Sequence, residues 1–100
     1  MADLIELKEV EERVILIAVN ISEEEDTEAS LDELEELVKT AGAITVGKMI
    51  QNREQIHPGT YLGKGKIEEV REQIAVLGAT GVVCDDELSP AQMRNLEDAL

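Results

Sequence analysis

The apolar positions of this chain alternate between short continuous runs and longer stretches with helical spacing. The first continuous run, residues 14–19, is rich in β-branched residues and lies between Arg13 and Asn20. Runs of this kind are typical of parallel strands that are covered on both faces. We therefore predict a central parallel strand over residues 13–20. Residues 1–12 are a leader segment to which the pattern assigns no structure.

A helical pattern follows the acidic segment 21–28, because apolar residues then recur at steps of three, four and three: Leu31, Leu34, Val38 and Ala41. One face of this predicted helix is apolar and the other is charged. Asp26 or Thr27 is one candidate for its N-cap, and Ser30 with Glu33 offers an alternative capping box. Gly42 marks its end.

The next apolar run predicts a second strand over residues 43–51. A second helical pattern ends at Gly78 and has its apolar residues at Ile67, Val70, Ile74 and Leu77. The connection between them, residues 52–65, is roughly fourteen residues long where two to six are usual in an α/β unit, and long loops of this kind are typically functional or disordered.

A short third strand is predicted over Gly81–Cys84, followed by a third helix with a well-marked start. Ser89 is its N-cap, Pro90 occupies the first helical position and Gln92 completes a capping box. The order β-α-β-α-β-α indicates an α/β fold in which helices flank a three-stranded parallel sheet. We predict that residues 13–100 form this sheet and its helices, as part of a larger α/β domain. The strand-to-helix loops of such a sheet share its carboxyl edge, where open α/β folds bind ligands.

The net charge of the chain limits the kinds of ligand that we expect it to bind. The net charge of −14 argues against a general affinity for nucleic acid or anionic membranes. Residues 48–66 are the exception: four cations and one acid give this region a net charge of +3, which leaves −17 for the rest. No apolar run is long enough to cross a bilayer and no signal peptide opens the chain, so we expect a cytoplasmic protein.

The glycine-rich part of this basic region, residues 58–66, is the main candidate for a binding site. It approaches the phosphate-binding loop G-x-x-x-x-G-K-[ST], but Gly65 and Lys66 come one position late, and Ile67 replaces the magnesium-binding Ser/Thr. The spacing therefore excludes a catalytic phosphate loop. A simpler site remains, in which backbone N–H groups near the glycines hold a phosphate and the sole aromatic residue stacks on a base. Its candidate contact residues are Arg53, Tyr61, Gly63, Lys64, Gly65 and Lys66.

Several interpretations of these residues stay open. The phosphate belongs either to RNA or to a free nucleotide; alternatively, the glycines only allow a turn and Tyr61 plugs the loop onto the sheet edge. Asp85 and Asp86 are weak candidates for a hard cation, and otherwise form a solvated turn or, with Glu87, pair with the basic loop residues. His57 has no nucleophile placed beside it. Cys84, the only cysteine, is predicted to be a buried structural thiol.

Two motifs in this order resemble the N-terminal domain of the HflX GTPases. They are T-Y-L-G-K-G-K at residues 60–66 and D-D-E-L-S-P-A-Q-M-R-N-L-E at residues 85–97, and the helix ending T-A-G-A at residues 40–43 is similar too. The resemblance extends over roughly residues 13–100.

The resemblance implies a GTPase that binds the large ribosomal subunit and splits or rescues stalled ribosomes. In that family this domain is followed by a further strand, a helical linker and a GTP-binding domain that uses GTP and Mg²⁺. The resemblance thus implies a non-catalytic module without a cofactor of its own, which contacts ribosomal RNA, the linker and the GTP-binding domain. Binding of adenine or guanine nucleotide through residues 59–66, and a purely structural protein-interaction role for the acidic helix faces, are the alternatives.

Overall fold

The computed structural model describes residues 11–100, so most of the predicted leader, residues 1–10, lies outside the described part. The strands are β1 (Arg13–Asn20), β2 (Ile44–Asn52) and β3 (Gly81–Cys84). The helices are α1 (Thr27–Thr40), α2 (Lys64–Leu77) and α3 (Pro90–Ala99). The strands form a parallel sheet in the order β2-β1-β3, which confirms the predicted α/β fold.

β1 is the central strand, and its side chains alternate between two separate cores. Ile15, Ile17 and Val19 face α2 and α3, whereas Leu16 and Ala18 face α1. Burial on both sides explains why this strand is apolar at every position from 14 to 19. The continuous run thus encodes a strand between two helical layers.

The helix boundaries follow local capping chemistry. The Asp26 carboxylate accepts a hydrogen bond from the Ala29 N–H and begins α1. The alternative capping box at Ser30 is wrong, because the Ser30 hydroxyl instead donates to Asp85 across the fold. The predicted box of Ser89 and Gln92, with Pro90 in the first turn, is confirmed at α3.

β2 begins and ends one residue later than predicted and carries a bulge. Val14 pairs with Thr45 and Ile15 with Gly47, so Val46 is the extra residue. The bulge disturbs the register near the amino end of β2, whereas the carboxyl ends stay aligned, with Asn20 opposite Asn52. The loops that follow β1 and β2 therefore leave the sheet at the same level.

Beside β3 the described residues leave an apolar groove of about 830 Å³ between α2 and α3. Within residues 11–100, β3 pairs only with β1. None of the helices in this part of the chain is long and apolar enough to cross a membrane.

Candidate functional site

The three segments that follow the strands meet at the carboxyl edge of the sheet, as predicted. The Arg53 N–H donates to the Asn20 carbonyl at 3.0 Å, and the Asp85 N–H donates to the Ile17 carbonyl at 2.9 Å. The Asn20 and Asn52 side-chain amides also form a hydrogen bond of 3.0 Å. This edge therefore holds the acidic loop after β1, the turn after β3 and, between β2 and α2, residues 53–63, which we call the glycine-rich loop.

A tight turn forms the tip of the glycine-rich loop. His57 and Tyr61 exchange two backbone hydrogen bonds of 3.0 and 3.2 Å. Inside the turn, His57 Nδ1 accepts the N–H groups of Gly59 and Thr60 at 3.0 and 3.2 Å. These two N–H groups are therefore used internally and are not available to a ligand.

Tyr61 anchors the loop to the sheet. Its φ of 69° lies in the left-handed region, and its side chain is 0% exposed. The hydroxyl accepts the Val19 N–H at 3.1 Å and donates to Asp86 at 2.7 Å. Burial, reinforced by the Asp86 carboxylate, raises the pKa of the Tyr61 hydroxyl, which keeps it protonated as a donor.

The predicted stacking of Tyr61 on a base does not fit this position. A ring without exposed surface cannot offer a face to a base, because stacking needs an accessible π-face. The alternative in which Tyr61 plugs the loop onto the sheet edge describes the observed contacts.

Gly63 ends the loop and caps α2 without a side chain. Its own N–H donates to Gln51 Oε1 at 2.7 Å, and its carbonyl accepts the Ile67 N–H at 3.0 Å. A methyl group at Gly63 would collide with the Arg53 guanidinium, so the loop passes close to that side chain. The glycine therefore allows a close approach to the Arg53 side chain. The predicted approach to a phosphate stays a prediction.

The first turn of α2 differs from those of the other two helices. Asp26 caps α1 and Ser89 caps α3, whereas α2 has no side-chain cap. Like α3, α2 also has no acidic residue in its first turn. Within residues 11–100, the N–H groups of residues 64–66 have no hydrogen-bond acceptor, as expected for the first positions of an uncapped helix. Partial positive charge at this helix end favours an anion.

The three candidate cations differ in solvent exposure and in ion pairing. Lys64 is exposed and forms no ion pair with any other described residue. Lys66 is paired with Glu69 at 2.9 Å, and its side chain is only 21% exposed. Arg53 is half-buried and donates from Nε to the Gln55 carbonyl at 3.1 Å. Gly65 is exposed, and no atom lies within 4 Å of where a Cβ would stand, so an anion has room to approach the helix end beside Lys64.

The acids of the β3–α3 turn do not neutralise these cations. Asp85 accepts the Ser30 hydroxyl at 2.8 Å, and Asp86 accepts the Tyr61 hydroxyl. The predicted pairing of these acids with Arg53, Lys64 or Lys66 is wrong for this part of the chain, since no such ion pair forms among residues 11–100. In the same range, no three metal-ligating side chains converge.

Cys84 lies half-buried at the end of β3. Burial, with the nearby Asp86 carboxylate, raises the pKa of its thiol to about 11. The thiol is therefore protonated at neutral pH, and it is less completely buried than predicted.

Comparison with known proteins places the chain in a family. Residues 28–100 match the family described as GTP-binding GTPase N-terminal. Over its full length the chain is 74% identical to GTPase HflX of Lacrimispora saccharolytica. The chain belongs to the HflX family, as its N-terminal domain.

More distant members agree with this assignment. The chain is 45% identical over 95 residues to GTPase HflX of Caldanaerobacter subterraneus and 37% identical over 86 residues to that of Escherichia coli. The matched region covers 24%, 22% and 20% of the three relatives, so the chain spans about a quarter of their length or less.

Four residues of this edge carried no functional signal in the sequence: Gln51, His57, Gln92 and Asn95. Gln92 and Asn95 bind loop carbonyls from α3, and Gln51 binds the Gly63 N–H. Gln92 was expected only to cap its own helix. The sequence offered one hint of their role. Gln51 lies near the carboxyl end of β2, and Gln92 and Asn95 lie in the first turns of α3, so all three amides are close to the sheet edge that holds the glycine-rich loop.

Proposed function

We propose that this domain is the non-catalytic docking and regulatory module of a GTPase that acts on the large ribosomal subunit. GTP hydrolysis with Mg²⁺ would belong to a GTP-binding domain elsewhere in the full-length protein. The present domain would bind ribosomal RNA through the first turn of α2 and contact the protein's own helical linker and GTP-binding domain. It would act in the cytoplasm, where stalled ribosomes are split or rescued.

The observation that carries this proposal is the uncapped first turn of α2. It offers the N–H groups of residues 64–66 beside the exposed Lys64, which is unpaired among the described residues. Backbone N–H groups at a helix start hold phosphate without reading a base, which suits the RNA backbone. Arg53 adds positive charge nearby, whereas the charge of Lys66 is partly neutralised by Glu69, in a domain that is otherwise strongly acidic.

The distribution of charge favours a small, localised RNA contact. A surface with a net −17 outside residues 48–66 repels an extended polyanion. Within the basic region, Lys48 is paired with acids of α1 and Lys66 with Glu69. The attraction for RNA would therefore come mainly from Lys64, Arg53 and the start of α2, and it would orient the domain. We therefore expect contact with a few phosphates at most.

Binding of a free nucleotide uses the same helix start and is the second candidate. The buried position of Tyr61 weakens it, because Tyr61 is the only Phe, Tyr or Trp of the chain and its ring has no exposed face for a nucleobase. Isothermal titration of the isolated domain, residues 1–100, with ATP and GTP separates the two candidates, because the GTP-binding domain is then absent. Saturable heat would favour the nucleotide, whereas no heat at millimolar ligand would dismiss it.

The test of the docking proposal is the salt dependence of binding to purified large ribosomal subunits. In the full-length protein, Lys64→Ala with Lys66→Ala should weaken binding and reduce the slope of log K against log salt by roughly one to two, since each phosphate contact contributes about 0.7 to 0.9. Lys39→Ala with Arg94→Ala is the matched control, because both side chains are exposed on other helices.

An unchanged slope in the Lys64/Lys66 variant would contradict RNA docking through the first turn of α2. If charge reversal at Glu33 and Glu36 weakened binding while the Lys64/Lys66 variant did not, the acidic face of α1 would be the contact surface. That result would support the structural protein-interaction alternative.

A further inference from the structure

Two side chains of α3 hold the turn at the tip of the glycine-rich loop. Gln92 Nε2 donates to the His57 carbonyl at 3.0 Å, and Asn95 Nδ2 donates to the Gly59 carbonyl at 2.9 Å. Residues three apart lie on the same face of a helix, so the two amides form a pair that matches two carbonyls of one turn.

The Gln92 amide is held in place at its other end. Its Oε1 accepts the Ser89 N–H at 3.0 Å, and the Ser89 hydroxyl accepts the Gln92 N–H at 3.1 Å. The capping box therefore turns Oε1 towards the helix start and leaves Nε2 to face the loop. One side chain caps α3 and binds the loop at the same time.

Tyr61 fixes one end of the turn to the sheet edge, whereas the other bonds of the turn determine only its shape. The backbone pair of His57 and Tyr61 and the His57 ring bonds are all internal to residues 57–61. In the part of the chain that the structure describes, Gln92 and Asn95 are the side chains from another element that bind polar atoms of residues 57–60. The position of residues 57–60 against the fold thus depends on α3, in addition to the anchor at Tyr61.

The turn is coupled to the start of α2 through Leu62. The Leu62 N–H donates to the Thr60 carbonyl at 2.7 Å, and the Thr60 hydroxyl donates to the Leu62 carbonyl at 2.8 Å. Leu62 is followed directly by Gly63, the cap of α2. The two Thr60–Leu62 hydrogen bonds thus link the tip of the loop to the residue before the cap of α2.

We propose that Gln92 and Asn95 are positioning residues, which attach the glycine-rich loop to α3 and so set the place of the phosphate-binding helix start. This inference rests on the proposed docking function. It adds that the glycine-rich loop is held in its binding conformation before RNA is bound. The two side chains of α3 would then affect the affinity for RNA without touching the RNA themselves.

The test uses isosteric variants of the full-length protein. Gln92→Glu keeps the acceptor for the Ser89 N–H but loses the donor to the loop, and Asn95→Asp loses its donor likewise. Ala91→Glu with Arg94→Gln is the control: both positions are exposed on α3, and the net charge changes by the same amount. Asn95→Leu removes one donor without adding charge.

Hydrogen exchange of the Gly59 and Thr60 amides and affinity for large ribosomal subunits are measured together. The Gln92→Glu/Asn95→Asp protein should exchange these amides roughly tenfold faster and bind several-fold more weakly, as expected for the loss of two hydrogen bonds. Asn95→Leu should show part of the effect, and the control should show none.

Unchanged exchange would overturn the attachment of the loop by α3. Faster exchange with unchanged affinity would overturn the positioning role. The exchange result does not depend on docking, so it can still be positive when the Lys64/Lys66 variant shows that the docking function itself is wrong.

Discussion

The Tyr61 hydroxyl joins three parts of the chain through two hydrogen bonds. It accepts from the backbone of the central strand and donates to the turn before α3, while Tyr61 itself belongs to the glycine-rich loop. Its left-handed φ of 69° is unusual for a bulky residue, so the surrounding contacts must stabilise it. Tyr61 thus has the burial and bonding of a structural anchor.

Tyr61→Phe should destabilise the domain by about 1 to 3 kcal/mol, because it leaves the buried Val19 N–H without an acceptor. Denaturant unfolding measures this loss. Asp86→Asn is the matched control: it retains an acceptor for the hydroxyl and should cost less. Equal stability of Tyr61→Phe and the wild type would show that the hydroxyl does not hold the loop.

His57 is expected to act through its Nδ1 acceptor. His57→Asn places a side-chain oxygen where it can accept the same N–H groups, as asparagine does in turns. His57→Ala offers no acceptor. We expect amide exchange at Gly59 and Thr60 to be close to wild type in His57→Asn and clearly faster in His57→Ala; similar exchange in the two variants would contradict this role.

Cys84 gives a prediction for alkaline pH. Its pKa in the folded protein is raised to about 11 from an ordinary value of 9.0. The native state therefore holds the proton more tightly than the unfolded chain, and its contribution to stability is complete below pH 9 and is lost as the pH rises through 11. The unfolding free energy should fall more steeply between these values in the wild type than in Cys84→Ala. Parallel curves of unfolding free energy against pH for the two proteins would contradict a raised pKa of the Cys84 thiol.

At the scale of elements, α2 is delimited by two glycines with different tasks. Gly63 allows a close approach to Arg53, whereas Gly78 adopts a left-handed conformation with a φ of 64° that closes the helix. Only the second task depends on backbone conformation, since the φ of Gly63 is −72°.

Gly78→Ala should therefore destabilise the domain by about 1 kcal/mol, through strain in the left-handed region. Gly81→Ala is its control, because Gly81 has no positive φ and no atom lies within 4 Å of the place that an added methyl group would occupy. The denaturation midpoints of the two variants provide the comparison. An equal loss in both would exclude the conformational explanation.

Element positions followed from the sequence wherever one local rule was sufficient. The apolar run of β1, the glycine at the end of α2 and the capping box of α3 each have a single physical explanation, and each prediction was confirmed. The start of α1 had two explanations, and a long-range bond from Ser30 to Asp85 decided between them. The bulge at Val46 depends on strand pairing and has no local signal.

At the scale of the whole molecule, the parallel topology explains why distant segments share one edge. That edge was predictable, because it follows from the order of strands and helices alone. The contacts across it were not, since the sequence does not specify that Asp86 binds Tyr61 or that Gln92 and Asn95 reach the loop. The orientation of Tyr61, in particular, depends on its hydrogen bonds to β1 and to the turn before α3.

The central claim is that the start of α2 touches RNA of the large ribosomal subunit. A photo-crosslinking amino acid at position 64 of the full-length protein tests it most directly, with the same group at exposed Lys39 as the control. After irradiation on purified large subunits, we predict crosslinks to ribosomal RNA from position 64 and none from position 39. Binding to the subunit with no RNA crosslink from position 64, or with equal crosslinks from both positions, would contradict the account.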